Sequence, residues 1–222
     1  MSGKFSAFLL GGTGQVGKAI SKELAKSESF DKVTLFTRRQ VDPSQGDTEN
    51  DYSKFTVKIV DFDKLVENHS KDFEGYDVGF CSMGLNGGTM EEKKKVDRDY
   101  VVAAVKLAKA GGCTNFNLVS GNGANKDAYL TIYKNKGLVE QDVTEVGFDR
   151  VAFYRARLLV GGESRDVSLV KTLDCWRRFS CEIPVLAKVM VHNSLQPPKA
   201  KVDIYENHDI HKLGIEFTKP KK

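Results

Sequence analysis

The sequence predicts an α/β fold, a doubly wound parallel sheet with a small C-terminal lobe. Three observations carry that expectation. Apolar β-type runs recur at a regular interval, helical patterns separate most of them, and a glycine-rich turn joins the first run to the first helix. Such alternation implies right-handed βαβ crossovers, which lay helices on both faces of a parallel sheet.

The β-type runs are FSAFLL (5–10), KVTLFT (32–37), FTVKIV (55–60), YDVGFCS (76–82), NFNLVS (115–120) and RVAFY (150–154). Most are near-continuous apolar segments, as strands buried on both faces should be. Between the first two, QVGKAISKELAKS sets Val16, Ile20 and Leu24 on one helical face. VDRDYVVAAVKLAKAGG does the same with Val101, Val105 and Ala108, then stops at Gly111. Thr89, with Glu92 three residues on, predicts a capping box at the start of that helix. VDPSQGDTEND (41–51) reads as a mobile polar loop.

After about residue 160 the character changes. PVLAKVMVHNSLQPP reads as an amphipathic helix ended by prolines, followed by a short strand in KVDIYE and a last helix in NHDIHKLGIEF. Residues 1–160 are therefore read as the cofactor-binding sheet, and 161–222 as a small lobe of the same domain over the carboxyl edge of the sheet.

At 222 residues and 40% hydrophobic content the chain can build one proper core, and 29% charged residues suit a soluble surface. The net charge of +4 is spread along the chain except for the terminal KPKK, which reads as a solvated end. No basic stripe interleaves with aromatics, so no nucleic-acid partner is expected. No apolar run approaches the length of a membrane span, and FSAFLL is too short for a secretory leader. Cys81, Cys113, Cys175 and Cys181 lack CxxC spacing and read as thiols of a reducing compartment, which points to the cytoplasm. His208 and His211 lie three apart with no cysteine nearby; they read as a solvated helix face and no metal is expected.

The turn FLLGGTGQVGK holds Gly11, Gly14 and Gly17 at GxxGxxG spacing, overlapping a GxGxxG pattern from Gly12. Glycine serves three ends here: a tight turn, close approach of backbone to a pyrophosphate, and close packing of helix on strand. Thr13, Gln15 and Val16 complete the turn, and the helix N-terminus presents N–H groups to phosphates. At the first strand–helix junction of an alternating chain, this motif predicts dinucleotide binding. The second strand then ends LFTRRQ. An NAD-preferring site usually carries an acidic residue there for the ribose 2′-hydroxyl. Arg38 and Arg39 stand in its place, and a guanidinium pairs with a 2′-phosphate, so NADP(H) is the expected cofactor. Asp61 and Phe62 close the third strand beside the expected adenine, and Met83 and Gly84 close the fourth, where backbone lines the cofactor.

These segments resemble the atypical short-chain dehydrogenases related to the Tat-interacting oxidoreductase of animals. The matching stretches are LGGTGQVG, FDKVTLFTRR, VDFDKL, FEGYDVGFCSMG, VDRDYVVAAVKLAKAGGCTNFNLVS and KGLVE, which cover most of residues 8–155. The similarity thins after residue 160. The resemblance implies a Rossmann-like fold binding NADPH, and a YxxxK pair whose phenol protonates a substrate carbonyl as hydride arrives. The lysine, which also holds the nicotinamide ribose, carries over to Lys136, and the serine that bonds the carbonyl carries over to Ser120. The tyrosine does not carry over, because Ile132 stands four residues before Lys136. Tyr133, three residues before it, is the nearest substitute; one residue along a helix turns a side chain by about 100° and moves it about 1.5 Å. The family's Arg-Pro-Gly turn is also altered, since Ala156 and Arg157 replace the proline and glycine.

Two functions follow. The preferred one is an NADP(H)-binding regulator with weak or no turnover. The alternative is an NADPH-dependent reductase of a small carbonyl compound using Tyr133, Lys136 and Ser120. No substrate or protein partner is legible in the chain, and Trp176, Phe179 and Met190 read as core residues.

Overall fold

The computed structural model describes residues 3–85, 87–161 and 179–218. Strands β1 (Phe5–Leu10), β2 (Phe30–Thr37), β3 (Phe55–Ile59), β4 (Val78–Cys81), β5 (Asn115–Gly121) and β6 (Arg150–Ala156) each overlap one of the predicted runs. Helices α1 (Gln15–Lys26), α2 (Leu65–Asn68), α3 (Met90–Lys94), α4 (Tyr100–Ala110) and α5 (Thr131–Val146) separate them, except that residues 38–54 join β2 to β3 without a helix. A ribbon of β7 (Leu158–Val160) and β8 (Ser180–Glu182) follows, then α6 (Ile183–Ser194), β9 (Val202–Glu206) and α7 (Asn207–Glu216).

Seven strands form one sheet in the order β3-β2-β1-β4-β5-β6-β9, and every neighbouring pair runs parallel. The two-residue period sorts side chains between its faces. Ala7, Leu9, Val33, Leu35 and Phe80 face α1 and α6, whereas Phe8, Leu10, Phe36, Phe116 and Leu118 face α4 and α5. Val16, Ile20 and Leu24 of α1 are buried, as their spacing predicts. The Thr89–Glu92 capping box forms in both directions, and Gly111 caps α4. A π turn, Lys95–Asp99, joins α3 to α4; nothing in the sequence pattern pointed to it.

The region read as a lobe contributes to the sheet itself. The β7–β8 ribbon lies beyond the carboxyl end of β6. Beyond the ribbon, however, α6 buries Leu186, Val189 and Met190 in the core shared with α1, and β9 pairs with β6 from Val151↔Val202 to Arg155↔Glu206. Three smaller expectations change. Phe179 is exposed rather than core. His211 is buried and bonded to the Ser180 carbonyl at 2.9 Å, while His208 stays in solvent beside Asp209. The 41–51 loop is cross-linked: the Asp47 carboxylate accepts from Glu49 N–H, Asn50 and Tyr52 at 2.7–3.0 Å. Trp176, Cys175 and the terminal KPKK lie outside the described residues; the other three cysteines are buried free thiols.

Candidate functional site

Parallel strands leave a crevice at their carboxyl ends where the connections diverge to opposite faces. Here that crevice is a cleft of about 420 Å³ across the ends of β2, β1 and β4. Of the predicted cofactor residues, Gly11, Thr13, Gly14, Arg38, Arg39, Phe62, Met83 and Gly84 line it together. Gln15, Val16 and Gly17 form the first turn of α1 beside it.

The three glycines differ in what they do. Gly11 has φ +81°, and a Cβ there would stand 2.8 Å from the Met83 nitrogen. A Cβ at Gly17 would stand 2.1 Å from the Gly11 oxygen, so this glycine lets α1 close onto the turn. At Gly14 a Cβ would meet nothing nearer than the Gly11 oxygen at 3.5 Å. Its emptiness is on the cleft side, the place where a phosphate needs bare backbone. The N-cap is Gly14 itself, and α1 has no acidic residue in its first turn, so the positive end of the helix dipole faces the cleft. These features fit a pyrophosphate. Arg38 and Arg39 are exposed at the end of β2, where the backbone is pinned by Thr37 Oγ1 donating to the Arg39 carbonyl at 2.7 Å.

Asp61 is brought close but turned outward. Its carboxylate accepts the Asp63 N–H at 3.0 Å, and its own N–H meets His69 Nε2 at 3.3 Å, so it acts as a cap for the turn after β3. Sequence reasoning missed Tyr100, whose ring lies 5.4 Å from Phe62 and extends the cleft wall.

Ser120 on β5 and Tyr133 and Lys136 on α5 are not among the residues that line this cleft, and Ser120 and Lys136 already have acidic partners. Ser120 Oγ donates to Glu140 Oε1 at 2.6 Å, and Arg155 grips both oxygens of that carboxylate at 3.0 and 2.6 Å. Arg155 also reaches Glu206 at 3.0 Å. The Glu140 carboxylate beside it raises the guanidinium pKa further, so the charge is permanent. Lys136 Nζ lies 3.3 Å from Asp97 Oδ2. Helix α5 is regular from Thr131 to Val146, with no bulge between Tyr133 and Lys136. Ile132 and Tyr133 are both exposed in its first turn, and the Tyr133 ring packs where a Cβ of Gly123 would stand, at 3.3 Å. The Ala156 carbonyl accepts the Asn122 N–H at 2.9 Å, extending the β5–β6 pairing, and Arg157 donates its N–H to the Asn207 side chain of α7 at 3.2 Å. Glu140 and Asp97 were not anticipated. No sequence signal finds them, since each acts through a partner brought near by folding.

The rat protein HTATIP2 is 35% identical over 97% of this chain and 92% of its own length. The mitochondrial protein FMP52 of Eremothecium gossypii is 33% identical over 92% of this chain and 95% of its own. Among solved structures, the oxidoreductase ylbE from Lactococcus lactis superposes with a TM-score of 0.70 at 17% identity, covering 98% of this chain and all of that one. MoeE5 in complex with UDP-glucuronic acid and NAD gives 0.71 at 13% identity, covering 96% and 82%. At those identities the superpositions establish the Rossmann-like fold alone. The profile of the NAD(P)H-binding family matches residues 11–191, and with the full-length relatives it shows that this chain belongs to that family, among the atypical short-chain dehydrogenases.

Proposed function

We propose that this protein binds NADP(H) in preference to NAD(H) and works as a cofactor-dependent regulator with weak or no turnover. The observation that carries the cofactor choice is the pair Arg38 and Arg39 lining the cleft beside the glycine turn. Among the described residues, no carboxylate lines the cleft there to repel a 2′-phosphate. When bound, the cofactor supplies or accepts hydride; the chain's own part would be to orient a substrate and move a proton. Three features argue against that part. Four residues before Lys136 the regular helix presents Ile132. The Ser120 proton is committed to Glu140, so the hydroxyl is left to accept rather than donate toward a carbonyl. The Lys136 ammonium is shared with Asp97.

Fluorescence titration with both reduced cofactors tests the first half. A charged hydrogen bond to the 2′-phosphate contributes about 1.5–3 kcal/mol, so NADPH should bind roughly 10- to 100-fold more tightly than NADH. Replacing both arginines by alanine should erase the difference, and equal affinities in the wild type would sink the proposal.

A second reading is kept alive by the Tyr133 ring beside Gly123, at the mouth of the β5–α5 connection. If Tyr133 is the acid of a carbonyl reductase, Tyr133→Phe should cost about 100-fold or more in rate. On the preferred reading the wild type is nearly silent with a panel of aldehydes and quinones. Ile132→Tyr combined with Tyr133→Leu then gains activity.

We assign the protein to the cytosol. The fungal relatives carry a mitochondrial label, so fractionation of tagged protein decides the compartment. Its partner on this reading is a protein or an unidentified small molecule.

A further inference from the structure

Lys136 meets a carboxylate that the chain has gone to some length to place. Asp97 sits on the π turn between α3 and α4, and π turns are rare and concentrate at functional sites. Its side chain is 10% exposed; Oδ1 accepts the Leu85 N–H at 2.8 Å and Oδ2 faces Lys136 Nζ at 3.3 Å. Both groups stand over Gly84. A Cβ there would lie 3.8 and 3.9 Å from the two carboxylate oxygens and 3.9 Å from the ammonium. Gly84 and Leu85 line the cleft, on the side of β1 opposite Arg38 and Arg39. The pair therefore lies behind the wall at the end away from the 2′-phosphate.

We propose that Asp97 is a positioning residue that sets the charge at the nicotinamide end, letting the cleft accept the oxidised as well as the reduced cofactor. The inference rests on the nicotinamide-cofactor reading of the cleft. Oxidised and reduced cofactor differ by one positive charge, and that charge is on the ring. Groups at the phosphate end act on both forms alike, so discrimination comes from groups near the ring, and charge there contributes directly to it. Lys136 alone would repel a cationic ring and favour the reduced form. Asp97 cancels that bias, and the nearby Cys81 is neutral, its thiol pushed up to about 12 by burial. A unit charge roughly 12 Å away, at an effective dielectric of about 20, changes affinity by about tenfold.

A structural salt bridge would affect both redox forms equally, which makes the alternatives separable. The test is calorimetric titration of wild type, Asp97→Asn, Lys136→Met and the double variant with NADP⁺, NADPH and 2′,5′-ADP, which lacks the nicotinamide half. Asp97→Asn keeps an acceptor for Leu85. It should weaken NADP⁺ relative to NADPH by about tenfold and leave 2′,5′-ADP unchanged. Lys136→Met should move the ratio the other way, and the double variant should return to within about threefold of wild type. Equal changes for both redox forms in Asp97→Asn, or shifts of the same sign in both single variants, would overturn the proposal. If Asp97→Asn does not fold, the sign of the Lys136→Met shift decides by itself. Failure of wild type to bind 2′,5′-ADP would overturn the reading of the cleft, and this inference with it.

Discussion

The cleft, with the proposed phosphate end at its glycine turn, and the proposed reactive end beside it on β5 and α5 are built on different principles. The phosphate end is made of backbone and absence: Gly14 offers empty space, α1 points its dipole inward, and Arg38 and Arg39 stand exposed. The reactive end is made of side chains already bonded to one another, Ser120 to Glu140 and Lys136 to Asp97. A site that must receive a ligand keeps its donors uncommitted. A site whose donors are satisfied internally holds its shape with or without a substrate. The proposed regulatory role rests on that contrast.

The sharpest way to break the contrast is at the glycines. Gly14→Val should leave circular dichroism and thermal stability near wild type while NADPH affinity falls by about three orders of magnitude or more, because the branched side chain fills the pyrophosphate position. Gly17→Ala should instead lower the melting temperature, since its Cβ would stand 2.1 Å from the Gly11 oxygen. Normal NADPH binding by a folded Gly14→Val protein would remove the phosphate end from the account.

At the reactive end the expected effect is on stability rather than affinity. Glu140→Gln keeps an acceptor for Ser120 but leaves Arg155 with Glu206 as its remaining carboxylate. A loss of about 1–3 kcal/mol follows from unbalancing a largely buried pair, a fall of roughly 3–10 °C by calorimetry at this chain length. NADPH affinity should stay within about threefold of wild type. A large drop in affinity with unchanged stability would mean the reactive end is tuned for ligand after all.

The smallest effect belongs to the 41–51 loop. The Glu49 N–H, backed by Asn50, Tyr52 and Lys22, holds the Asp47 carboxyl at about 2. Its folded pKa is depressed, so its contribution is fully present above the usual 3.8 and is lost as pH falls through about 2. Asp47→Asn should therefore speed amide exchange at Glu49 and Asn50 near neutral pH without shifting the global melting temperature measurably. Unchanged exchange would show that Gln45, donating to the Gly12 carbonyl at 3.0 Å, anchors the loop alone.

Much of this was legible in the chain, and the reason is locality. The glycine turn, the α1 stripe and the Thr89 capping box depend on residues within a few positions of each other, so their spacing is their geometry. That Ile132 stands four residues before Lys136 on one helix is legible for the same reason. Glu140 and Asp97 were not, because Ser120 lies 20 residues before one and Leu85 lies 12 before the other. His211 misled because a helix near the chain end looks solvated until α7 is seen to cover the Ser180 carbonyl. Asp61 carries a local role that its position also allowed, since one of its carboxylate oxygens caps the turn after β3.

The place of β9 beside β6 has a consequence for synthesis. Until residue 206 has emerged, β6 has no outer neighbour, and its N–H and C=O groups from Val151 to Arg155 form an open edge. Such an edge is a template for pairing with another chain, and the α1 face that α6 covers is bare over the same interval. The last fifth of the polypeptide therefore acts as the closing seam of the sheet. A nascent or shortened chain that ends before it would be sticky along one side, although its cofactor turn is complete.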